Sequence, residues 1–124
     1  MTRISSIAFI ALLALPGVCS AASTPPTTKQ EVATLFSRLE ASGCQFSRNG
    51  TWYDAKAASA HLSKKYQYLL DQNLVSRTED FIARAATESS ISGQPYQVKC
   101  NDAAPVNSAA WFKAELAKYR KSVS

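Results

Sequence analysis

Two segments far apart in the chain, Cys44-Gln45-Phe46-Ser47-Arg48 and Tyr96-Gln97-Val98-Lys99-Cys100, alternate apolar and polar residues with the period of a half-buried strand. Laid antiparallel with Cys44 opposite Cys100, they set Phe46 against Val98 and Arg48 against Tyr96, so the apolar faces coincide. A Cys44–Cys100 disulfide at the end of that pair would fix its register. It would close a loop of about sixty residues, restraining the unfolded chain by about 4 kcal/mol. Against a net stability of about 5–10 kcal/mol, that is a large share. Catalytic thiol chemistry calls for a Cys-x-x-Cys pair or a cation beside a lone thiolate, and neither pattern is present.

Such a bond needs an oxidising compartment, and the N-terminus reads as a route to one. Arg3 opens the chain, Ile4 to Leu15 is apolar, Pro16-Gly17 breaks the run, and small residues follow at Ser20, Ala21 and Ala22. Residues 1–21 are expected to be a signal peptide. The apolar run is too short to span a bilayer, and no comparable run follows, so no transmembrane segment is expected in the mature chain. Cys19 is preceded by the branched Val18 rather than a small residue, so a lipoprotein anchor there is not expected.

Residues 22–28, polar and proline-bearing, are expected to be a flexible leader, and residues 29–124 a single domain. The pattern implies an α+β fold, mostly helical, with about four helices on a two- or three-stranded antiparallel sheet. Val32, Leu35, Phe36 and Leu39 form the stripe of a first helix, which Gly43 ends. Asn49-Gly50 is a hairpin signal, with Thr51-Trp52-Tyr53 as the return strand. Asp54 can cap a second helix with Ala55, Ala58, Leu62, Tyr66 and Leu69 on its buried side. Ser76-Arg77-Thr78-Glu79 reads as a capping box opening a third helix, buried through Phe81, Ile82, Ala85 and Ala86. Residues 101–107 read as a turn, and Ser108 as the cap of a last helix carrying Phe112 and Leu116.

The net charge of +5 falls to about +4 once Arg3 leaves with the signal. The basic residues are dispersed, with small concentrations at Lys64-Lys65 and at Lys118, Arg120 and Lys121, as on solvated helix faces. No basic stripe is interleaved with aromatics, so nucleic acid is not an expected partner.

His61 is the single histidine, one helical turn from Lys65, and no cysteine or carboxylate stands at ligand spacing from it. No metal, no cofactor and no catalytic residue is therefore expected. The run Glu88-Ser89-Ser90-Ile91-Ser92-Gly93-Gln94-Pro95-Tyr96 is the most distinctive in the chain. Its hydroxyls and amides could cradle an anion or a glycan, with Arg48 and Tyr96 extending the surface. The candidate binding surface is thus Arg48, His61, Ser90, Ser92 and Tyr96. No Gly-x-Ser-x-Gly elbow supports a serine hydrolase.

Several of these stretches occur together: Phe46-x-Arg48-Asn49-Gly50, His61-Leu62-x-x-Lys65-Tyr66, Thr78-Glu79-Asp80-Phe81-Ile82, and Ser89-Ser90-x-Ser92-Gly93-x-Pro95-Tyr96-x-Val98. With Trp111 in the last helix, their order resembles the YfeK-like family of small exported proteobacterial proteins, a domain of unknown function. The resemblance implies a periplasmic home in a Gram-negative cell and brings no catalytic or binding residue with it.

The expected function is a non-enzymatic binding or envelope-associated module with an unidentified envelope component or protein partner. Two alternatives are an envelope hydrolase or transferase using His61 with a loop serine, and a lysozyme-inhibitor-like protein. The positive charge weighs against the latter, since many lysozymes are themselves basic.

Overall fold

In the computed structural model, which describes residues 23–124, the chain runs α1 (Pro26–Ala41), β1 (Gln45–Arg48), β2 (Thr51–Asp54), α2 (Ala55–Asp71) and α3 (Thr78–Ala85). It closes with β3 (Gln97–Lys99), β4 (Val106–Asn107) and α4 (Ser108–Val123). The expected signal peptide, with Cys19, lies outside the described residues. The fold is α+β, four helices packed on one antiparallel sheet of order β2-β1-β3-β4.

β1 and β3 pair in the register that alternation demands, Phe46 opposite Val98 and Ser47 opposite Gln97. One step beyond the pair, Cys44 and Cys100 are bonded, with Cα atoms 4.2 Å apart. Asn49 (φ 50°) and Gly50 (φ 79°) take the left-handed conformations that a tight hairpin turn requires. The sheet has one strand more than expected. β4, only two residues long, is too short to alternate and forms because β3 offers it a free edge, with Val98 opposite Val106.

Helix boundaries follow tertiary contacts where local signals are weak. α1 begins at Pro26, six residues ahead of the first residue of its apolar stripe, because proline suits a first helical turn. Thr24 and Thr28, both within the expected leader, donate to the carbonyls of Val75 (2.6 Å) and Ser76 (2.9 Å) and are buried. The cap of α3 is shifted by one residue from the expected box. Asp80, not Glu79, reaches back, accepting from the backbone N–H groups of Ser76 and Arg77 at 3.0 Å each. Ser108 does not cap α4. It is the first helical residue, donates its N–H to Tyr96 O at 2.8 Å, and its hydroxyl is buried without a partner.

The core is aromatic at its centre: Phe81 lies 5.4 Å from Phe36, 5.4 Å from Tyr66 and 6.0 Å from Phe112, ring to ring. Val32, Leu35, Leu39, Leu62 and Ile82 complete it without exposure. At its edge Arg120 clamps three elements. It donates to both oxygens of Glu31 (2.8 and 3.0 Å) and lies 2.6 Å from Glu79. Glu31 also accepts from the Thr78 hydroxyl at 2.6 Å. The Arg120 guanidinium holds the Glu31 carboxyl below its ordinary range, against an opposing effect of burial.

Replacing both bonded cysteines by alanine is expected to lower unfolding free energy by about 2–4 kcal/mol in urea titration. An unchanged midpoint would mean that loop closure contributes nothing. Arg120→Gln is expected to cost about 1–2 kcal/mol at neutral pH. Because the folded pKa of Glu31 is depressed, its contribution is complete above the ordinary carboxylate pKa and disappears as pH falls through the folded value. Wild type and variant should therefore converge in stability on acidification from pH 7 toward pH 3, about the range of carboxylate titration. A constant gap would contradict the clamp.

Candidate functional site

Period-two geometry puts Arg48 on the same face of β1 as the buried Phe46, toward the helices rather than solvent. The β1–β3 register, continued one residue past β3, brings Tyr96 opposite Arg48. β2 passes directly into α2, and Asp54 accepts from the Ala57 N–H at 2.7 Å, fixing where the helix starts. His61 and Lys65, one turn apart, consequently lie above Arg48 and Tyr96.

Here the side chains form one network. Arg48 Nη1 donates to His61 Nδ1. A guanidinium cannot accept, so Nδ1 is the unprotonated nitrogen and Nε2 carries the hydrogen. That hydrogen points to the Tyr96 hydroxyl oxygen, 3.1 Å away. Lys65 Nζ donates to the same oxygen at 3.1 Å and to the Glu88 carbonyl at 3.0 Å. Arg48 also stacks on Tyr53, its guanidinium carbon 4.9 Å from the ring centroid, and reaches that hydroxyl at 3.4 Å.

The electrostatics follow from crowding by cations. Burial first, then Arg48, Lys65 and Lys64, push His61 below its ordinary pKa, so the ring stays neutral. Burial lowers Lys65, opposed by Glu88. Burial raises Tyr96, opposed by Arg48, so the phenol keeps its proton. Among the described residues none of Arg48, Lys64 and Lys65 is in an ion pair.

The serine-rich run forms a stiff turn beside this network. Ser89 N–H donates to Gln94 O (3.0 Å), Gly93 N–H to Ser89 O (2.9 Å), and the buried Ser89 hydroxyl accepts from Ile91 and Ser92 N–H at 3.3 Å each. Gly93 has φ 72°, which excludes a side chain without strain. The Ser92 hydroxyl donates to the Asn49 side chain, fastening the turn to the hairpin. Between turn, hairpin and α2 lies a cavity of about 410 Å³ lined by Arg48, Tyr53, His61, Lys65, Ser90 and Tyr96 among others.

Four of the five residues expected at a binding surface, Arg48, His61, Ser90 and Tyr96, border this one cavity. Tyr96 does so from within, being 1% exposed. Ser92 instead holds the turn in place. Lys65 and Tyr53 were not legible as site residues, and Ser89 was legible only as one hydroxyl of the serine-rich run. The spacing of Lys65 from His61 was visible, but a lysine on a helix rim ordinarily reads as solvated. Both ring nitrogens of His61 are taken by Arg48 and Tyr96, and neither meets a serine. Among the described residues no three His, Cys, Asp or Glu gather to hold a metal, and no helix is long and apolar enough to cross a membrane.

Fold and site together define a small disulfide-pinned α+β domain with a donor-lined pocket. The chain belongs to a family of unknown function, DUF5329, whose model matches residues 26–120. No curated protein and no solved structure matches it.

By proton NMR, His61 is expected to titrate below the ordinary value of about 6.5. Arg48→Met should raise that midpoint by removing both a donor to the neutral ring and a neighbouring positive charge. A wild-type midpoint at or above the ordinary value would break the network as described.

Proposed function

We propose that this domain is a non-enzymatic binding module of the periplasm, of the YfeK-like group. Its ligand would present an anionic oxygen group to the cavity between the hairpin and the serine-rich turn. One observation carries the reading: the site holds more hydrogen-bond donors than acceptors. The Tyr96 oxygen receives hydrogens from Lys65 and His61, and its own hydroxyl hydrogen has no protein acceptor in this network. Arg48 and Lys65 bring charge that no ion pair among the described residues neutralises, although the Glu88 carboxylate acts on Lys65 from nearby. A phosphate or carboxylate entering there would accept from several charge-assisted donors at once. Export is supported by the N-terminal pattern and by the fit of a disulfide to an oxidising compartment.

Two observations weigh against the alternatives. A hydrolase or transferase would need His61 to take a proton from a serine hydroxyl, and both of its nitrogens are engaged elsewhere. A lysozyme inhibitor acting through its serine-glycine-tyrosine loop would need that tyrosine outside, and Tyr96 is buried.

Calorimetric titration with inorganic phosphate, glycerol phosphate and acetate at low salt tests the reading. Phosphate compounds are expected to bind, and Arg48→Ala or Lys65→Ala to weaken them by about tenfold each. No heat with any anion, from a chain that melts cooperatively, would refute it.

A further inference from the structure

Of the large apolar side chains among the described residues, Ile91 is the most exposed, at 96%. It stands at the apex of the Ser89–Gly93 turn, and that turn is not loose. Backbone bonds close its base, the buried Ser89 hydroxyl gathers two of its amides, and Ser92 ties it to Asn49. A stiff turn that holds an isoleucine in water keeps an apolar wedge ready for a surface that will take it.

What surrounds the wedge indicates the surface. On one side is the cavity with Arg48 and Lys65; on the other, a cavity of about 660 Å³ is lined by Lys64, Arg84 and Tyr68, the last 62% exposed. Glu88 is the one carboxylate lining either cavity. An apolar tip, an amphipathic aromatic and long cationic side chains around it match the layered polarity of a bilayer interface. A single inserted side chain holds weakly by itself, so the cations must add attraction to anionic headgroups.

We propose that the Ser89–Gly93 turn is a membrane-contact element. Ile91 enters the acyl boundary of an anionic bilayer, while Lys64, Lys65 and Arg84 hold headgroup phosphates. This rests on the anion-binding reading of the adjacent cavity, which shares Lys65, and assigns the anion to a lipid headgroup. Burying one projecting side chain among cations suits a fluid, negatively charged surface better than a flat apolar protein partner.

The test is co-flotation of disulfide-bonded residues 22–124, the chain expected after export, which carry every core residue among those described, with phosphatidylcholine vesicles with and without phosphatidylglycerol. Glycerol phosphate is titrated in parallel. Binding is expected to the phosphatidylglycerol vesicles alone, and to vanish at about 1 M salt, where screening is nearly complete. Ile91→Ser should weaken it about tenfold, and Lys64→Ala and Arg84→Ala about fivefold each. These side chains are exposed or rim-lying, so melting temperatures should hold. Equal binding to neutral vesicles, or undiminished binding by Ile91→Ser, would overturn the proposal. Glycerol phosphate binding without flotation would overturn the membrane contact and leave the anion site standing; failure of both would remove both.

Discussion

The pairing of β1 with β3, and the Cys44–Cys100 bond one step beyond it, sets the position of almost everything else. The bond joins residues 56 apart in sequence, and the hairpin, α2 and α3 all lie within the loop it closes. A shift of one residue between these strands would turn Phe46 and Val98 to solvent and carry Arg48 to the opposite face. The covalent link and the burial of two apolar side chains therefore enforce one alignment, and that alignment brings Arg48 against Tyr96. The stability of the fold and the composition of the pocket have a common cause.

The pocket itself is assembled at some energetic cost. A histidine is kept neutral first by burial and then by three cations, and a lysine is partly desolvated above a buried phenol. Polar groups in such a position stabilise only if their hydrogen bonds are completed. Here completion is one-sided: donors converge on the Tyr96 oxygen, and the surplus faces the cavity. The sheet is thus closed at one end by a bond and by packing, while the cavity beside the serine turn is lined by cationic donors.

Much of the architecture was legible because short-range signals agreed with the tertiary result. The Phe46–Val98 register, the Asn49-Gly50 hairpin, the Asp54 cap and the stripe of α2 each rest on local alternation or on one residue's conformational preference. The elements that differed have weak local signals. β4 exists only as a partner for β3, and the segment where α1 begins is held by Thr24 and Thr28, which find carbonyls about fifty residues away in sequence. Asp80 rather than Glu79 reaches back at the cap because α3 starts one residue later than the expected box, with Arg77 at the N-cap, and Glu79 turns instead to Arg120.

The site divides along the same line. Residue type and period alone determined that Arg48 shares a face with Phe46, that His61 and Lys65 stand one turn apart, and that the serine-rich stretch cannot continue a helix, for these are consequences of backbone geometry within a few residues. That Lys65 rather than Arg48 lies over Tyr96, that Arg48 stacks on Tyr53, and that Ser92 fastens a turn while Ser90 faces a cavity were decided only in three dimensions. Those outcomes depend on which donor reaches which acceptor once helix and sheet are packed, and a one-dimensional pattern does not contain that distance.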